Sequence, residues 1–130
     1  MLADVTFDEV TRPDVLARLN GQSAESLTFG AIQLSPTGVI LAYNTAESQL
    51  ACRTPAMVIG RNFFEEVAPC TRTPAFRDAF LAGVRAGALD RRFRYVFDYR
   101  MQPTPVEVHL KRAVADDSYW IFVKRLPKDS

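Results

Sequence analysis

The sequence predicts an α+β domain in which one antiparallel five-stranded sheet carries short helices on one face and an N-terminal cap on the other. Three observations predict it. From Arg92 to Tyr99 the chain alternates, with Phe93, Tyr95, Phe97 and Tyr99 on one side and Arg94, Val96 and Asp98 on the other. Val106, Val108 and Leu110 alternate in the same way with Glu107, His109 and Lys111. From Ser118 to Lys124 both sides are apolar, Trp120 and Phe122 opposite Tyr119, Ile121 and Val123, and a strand apolar on both faces is covered on both. The helical signals of the middle of the chain can cover one face. Residues 1–27 are left to cover the other.

Taken in order, residues 1–27 are polar with scattered apolar positions at Val5, Phe7, Val15, Leu16 and Leu19, and Thr11-Arg12-Pro13-Asp14 reads as a helix start with proline near its first position. This stretch lacks a core of its own, so it is expected to dock as a cap, with Phe7 as its anchor. Phe29–Leu34 and Val39–Tyr43 are strands joined by the turn Ser35-Pro36-Thr37-Gly38. Asn44–Leu50 is a short helical segment, Thr54-Pro55 starts another that Gly60 ends, and Phe63–Val67 is a further turn. Thr73-Pro74 is expected to cap a longer helix to Ala86, stopped by Gly87; Phe76, Ala79, Phe80 and Val84 recur along it at helical spacing. The domain division expected is a cap over 1–27, a core over 28–126, and a tail or linker start over 127–130.

Composition narrows the function. A chain of 130 residues, 48% hydrophobic and with net charge +1, is one globular domain. The 13 Arg and 3 Lys are scattered, which argues against nucleic acid or an anionic membrane as partner. Only Arg91-Arg92-Phe93-Arg94 concentrates charge, and it reads as a solvated edge strand. No run approaches a membrane span, and Met1-Leu2-Ala3-Asp4 does not begin a signal peptide, so a cytoplasmic setting with reduced thiols at Cys52 and Cys70 is expected. A single histidine, His109, excludes the usual zinc ligand sets.

The residue that carries most chemistry is Cys70, directly after Pro69, which stiffens the backbone there. A thiolate could take an acyl group from an activated donor such as a CoA ester. Glu47 lies in a segment whose neighbours point inward, and a buried carboxyl is costly unless protonated or paired. Tyr43 precedes it by four residues; were the stretch helical, both side chains would share a face and could offer two hydroxyl donors to a phenolate. A thiol, a phenol, a carboxyl and the aromatic wall of residues 93–99 form a set able to hold a small acidic aromatic ligand covalently.

This constellation, with Val67-Ala68-Pro69-Cys70-Thr71 at its centre, resembles the photoactive yellow protein family over nearly the whole chain, most strongly from Phe29 to Leu126. The resemblance implies the PAS fold and a blue-light photoreceptor rather than an enzyme. It implies a 4-hydroxycinnamoyl group (from p-coumaric acid) held as a thioester on Cys70, its phenolate bound by Tyr43 and Glu47 under a lid formed by Arg53. It places Phe97, Tyr99 and Met101, and also Ile32, Phe63, Val67, Ala68 and Thr71, against that ligand. Light-driven isomerisation, proton transfer from Glu47 and loosening of the cap would be the signal. A downstream signalling domain or protein, such as a kinase in the same chain, would receive it, and Pro127-Lys128-Asp129-Ser130 reads as the start of a linker.

Ser48, Ala51 and Cys52 depart from the family pattern, where Gly, Thr and Gly are usual. The hydroxyl that would support Tyr43 is missing at Ala51, which affects colour and photocycle speed, and the lost glycines stiffen the loop. Two other readings compete. A PAS module that senses a non-covalent ligand or only dimerises fits the same fold. A cysteine hydrolase or transferase would need a base near Cys70, and His109, the only histidine, is expected to face away from it.

Overall fold

The structure is a computed structural model that describes residues 2–99 and 101–127. Its centre is a five-stranded antiparallel sheet in the order β2-β1-β5-β4-β3, built from β1 (Gly30–Leu34), β2 (Ile40–Tyr43), β3 (Asp90–Phe97), β4 (Thr104–Arg112) and β5 (Tyr119–Arg125). The doubly apolar segment is the middle strand, with Ile121 opposite Ile32 on β1 and Leu110 on β4. Its burial on both faces is therefore a consequence of position, since only a central strand has layers on either side.

The inner face carries Ile32, Leu34, Tyr43, Phe97, Val106, Val108, Leu110, Tyr119, Ile121 and Val123, packed against the helical layer through Val58, Phe63, Phe64, Val67, Phe76 and Phe80. That layer comprises α2 (Thr45–Ala51) and α3 (Pro55–Val58), a π-helical turn at Phe63–Val67, a 3₁₀ turn at Pro69–Thr71, a π turn at Pro74–Asp78, and the helix Ala79–Ala86. The expected long helix from Pro74 is thus continuous in path but wide in its first turn. Gly87 ends it in the left-handed region at φ 67°, where glycine has no Cβ to clash. Thr73 occupies the N-terminal position without capping it: its hydroxyl pairs instead with Tyr95 Oη at 3.0 Å.

Residues 2–27, including α1 (Pro13–Leu16), pack on the outer face. Trp120 stacks on Phe122 (5.8 Å between ring centres), Phe29 meets Phe122 edge-on, and Phe7 meets Phe29 edge-on at 5.4 Å. The apolar positions that looked scattered in sequence (Phe7, Val15, Leu16 and Leu19, joined by Leu2 and Val10) are all buried there.

The basic cluster lies on the edge strand β3, but Arg92 is more than a solvated charge. It holds Asp8 of the cap at 2.6 Å and Glu107 of β4 at 2.6 Å, and its guanidinium sits 5.2 Å from the Phe7 ring. Exposed contacts of this kind contribute roughly 0.2–1 kcal/mol each and weaken with salt. Replacing Arg92 with alanine is expected to speed amide exchange across residues 7–10 and to abolish its salt dependence. Equal exchange rates in the two proteins at every salt concentration would mean that the cap docks on apolar contacts alone.

Candidate functional site

The candidate side chains come from strand ends, from the helical layer and from the connection after β3. Tyr43 is the last residue of β2, and Asn44 then caps α2. Asn44 is buried and fully used: its Oδ1 accepts from Glu47 N–H and Ala31 N–H, both at 3.0 Å, and its Nδ2 donates to the carbonyls of Ala24 and Phe29. One amide group therefore ties the first turn of α2 to β1 and to the cap. Glu25 of the cap adds a second tie by accepting from Thr45 N–H and Oγ1. The helical spacing expected between Tyr43 and Glu47 is not what unites them, because Tyr43 stands outside the helix; the strand-to-helix turn at Asn44 does.

The Glu47 side chain is 2% exposed and its Oε1 has no hydrogen-bond partner among the described residues. Burial pushes its pKa up to about 8, so it is a neutral carboxylic acid at pH 7. Burial also drives the Tyr43 phenol upward, with Glu47 adding to the effect and Arg53 opposing it. The Tyr43 hydroxyl makes no side-chain hydrogen bond among the described residues, in keeping with the missing hydroxyl at Ala51. Two neutral O–H donors without acceptors therefore line one small space.

That space has a volume of about 30 Å³ and is lined by Tyr43, Glu47, Ala51, Arg53, Phe63, Val67, Ala68, Cys70, Phe97, Tyr99 and Met101. Arg53 lies over the Tyr99 ring at 5.8 Å. Ser48, one of the departures from the family pattern, donates through Oγ to the carbonyl of Arg53 and so steadies that rim. Cys52 ends α2 at φ 57°, a conformation that costs a non-glycine residue about 1 kcal/mol.

Of the residues expected at the site, Ile32 and Thr71 do not line the cavity. Ile32 pairs with Tyr43 in the sheet and belongs to the core beside it. The Thr71 hydroxyl turns back onto the Ala68 carbonyl at 2.6 Å. Ala51, noted in sequence only as a departure, does line it. Tyr95 was legible only as core. Its hydroxyl donates to the Cys70 carbonyl at 2.6 Å and so anchors the 3₁₀ turn that carries the thiol; no spacing rule links positions 25 residues apart. Cys52 and Cys70 are both free thiols. His109 faces Phe122 on the outer side of the sheet and bonds Asp90 at 2.7 Å, so it cannot serve Cys70 as a base.

Among the described residues no three metal-binding side chains cluster, and no helix is long and apolar enough to cross a membrane. Fold and site together define a sensory module of the PAS type: a five-stranded sheet, a helical layer and a polar-tipped cavity between them. The family described as PAS fold matches residues 22–125. Photoactive yellow protein of Rhodothalassium salexigens is 52% identical over 122 residues, covering 94% of this chain and 98% of that one. The one from Halochromatium salexigens is 55% identical over 111 residues, covering 85% and 89%. The crystal structure of the photoactive yellow protein domain from the sensor histidine kinase Ppr of Rhodospirillum centenum aligns with a TM-score of 0.79 at 46% identity, covering 86% of this chain and 98% of that domain. The chain belongs to the photoactive yellow protein family, and is a blue-light photoreceptor module of PAS fold whose family implies a chromophore.

Proposed function

We propose that the chromophore is a 4-hydroxycinnamoyl group carried as a thioester on Cys70, with its phenolate held by Tyr43 and Glu47. The observation that supports this most is the pair of neutral, unaccepted O–H groups sharing a cavity with a free thiol. Two donors with no acceptor of their own suit an anionic oxygen, and charge-assisted hydrogen bonds to it are short and strong. A carboxylate at Glu47 would repel that oxygen, so the site keeps the proton on Glu47. Arg53, Tyr99 and Met101 lie in loops at the rim, where they can give way to a ring.

When bound, the group supplies light absorption and a double bond that isomerises. The protein does the rest. Glu47 gives its proton to the phenolate and becomes a buried carboxylate. The cost of such a charge is several kcal/mol in a dry site. Glu47 is joined through Asn44 to Ala24 and Phe29, and its helix through Thr45 to Glu25. Strain there is passed to the cap, which is the moving part, so the output is a change of shape rather than turnover. The Ppr domain belongs to a sensor histidine kinase, which supports a downstream signalling domain as receiver here.

Reconstitution with activated 4-hydroxycinnamic acid tests the reading. The product is expected to be yellow, to bleach under blue light and recover in the dark, and to gain the mass of one hydroxycinnamoyl group on the peptide containing Cys70. A label on Cys52, or a protein that stays colourless, would refute it.

A further inference from the structure

Gly30, the first residue of β1, is a glycine that its backbone does not require. The positive φ values among glycines are at Gly38, Gly60 and Gly87; Gly30 is paired in regular register with Val123 of β5. What keeps a side chain out is Glu47. A Cβ on residue 30 would stand 2.2 Å from Glu47 Oε1, 3.2 Å from its Cδ and 3.3 Å from its Cβ. The first distance is far below any real carbon–oxygen contact. The last means that swinging the carboxyl alone does not clear the space, because the stem of Glu47 also lies on the glycine.

The helix cannot simply withdraw. Asn44 Oδ1 binds Ala31 N–H and Glu47 N–H together, so α2 is pinned to the residue next to Gly30. The carboxyl is thus trapped between a pinned helix and a bare stretch of strand. Any bulk on the strand must displace a carboxyl that itself lines the cavity with Tyr43 and Cys70.

We infer that Gly30 is the positioning residue of the proton-bearing carboxyl: by presenting no side chain, it lets Glu47 lie flat on β1 and so sets where that acid meets the chromophore. The second half rests on the function proposed above; the first does not, and the two can be tested apart.

In chromophore-free protein, Gly30→Ala is expected to lower the melting temperature by several degrees and to shift the infrared C=O band of the Glu47 acid. In a Glu47→Ala background the carboxyl atoms are gone and only the Cβ contact at 3.3 Å is left, so Gly30→Ala is expected to lower the melting temperature much less. If Gly30→Ala does not fold alone, folding of the double variant would support the trap, and its failure to fold would overturn it. An equal loss in both backgrounds, or an unmoved carboxyl band, would also overturn it. In the reconstituted protein, Gly30→Ala is expected to displace the visible band relative to wild type. An unshifted visible band beside a shifted carboxyl band would overturn the role toward the chromophore while leaving the trap standing. Failure of reconstitution itself would tell against the proposed function and would leave the chromophore-free results intact.

Discussion

Raising the pH from about 4.5 to about 8 is expected to destabilise the chromophore-free protein through one group, Glu47. Its carboxyl has an ordinary value of 4.5 and is pushed up to about 8 in the fold by burial. Below 4.5 both the folded and the unfolded chain hold the proton, and the group is indifferent to pH. Between the two values the unfolded chain releases it and gains free energy that the folded chain cannot. Stability therefore falls as pH rises, at about 1.4 kcal/mol per pH unit, to a total of the order of 5 kcal/mol, and levels off above 8. Asp90 and Glu107 run the other way, since their hydrogen bonds to His109 and Arg92 lower their pKa values and their contribution is lost toward acid. The comparison with Glu47→Gln isolates the effect, because glutamine does not titrate and the other groups cancel. Urea unfolding of both proteins across this range is expected to show the variant gaining steadily on the wild type. A difference that stays flat would mean that the carboxyl ionises in place, most simply by admitting water.

Blue light is expected to strip amide-exchange protection from residues 2–27 of the reconstituted wild type, and much less so in Glu47→Gln. On the proposed mechanism, the transfer would leave a buried carboxylate at Glu47 in the wild type, and the ties through Asn44 and Thr45 would carry the strain into the cap. Glutamine has nearly the same shape and still donates a hydrogen bond, so the dark site survives. It is a weaker donor than a carboxylic acid, so the dark absorption maximum moves to longer wavelength. It has no proton to give, so any proton would have to come from solvent and residue 47 would not become a buried charge. Time-resolved infrared spectra are expected to show loss of a protonated-carboxyl C=O band in the wild type and its absence in the variant. If the band persists in Glu47→Gln, the proton comes from another group. If exchange in the cap is unaltered while the wild type bleaches, the cap is not the output.

The sequence by itself determined the layers. Alternation along β3 and β4 placed Phe93, Tyr95 and Phe97 inward and His109 outward, and the doubly apolar β5 required cover on both faces, because period-two patterning records which side of a pleat meets water. Cys70 after Pro69, Glu47 in an inward-facing segment and Tyr43 near it were legible because thiols and buried carboxyls are chemically conspicuous and their family context is specific. The tertiary structure decided how these groups meet. Tyr43 and Glu47 share the cavity through the turn at Asn44, not a common helix face. Tyr95 reaches the Cys70 carbonyl across 25 residues, Thr71 spends its hydroxyl on its own turn, and Arg92 clasps the cap through Asp8 and Phe7. Each depends on which distant surfaces pack together, and local spacing carries no record of that. Gly30 marks the limit most clearly. In sequence it is one glycine at the start of a strand; only packing reveals that the volume it leaves empty belongs to the carboxyl of Glu47.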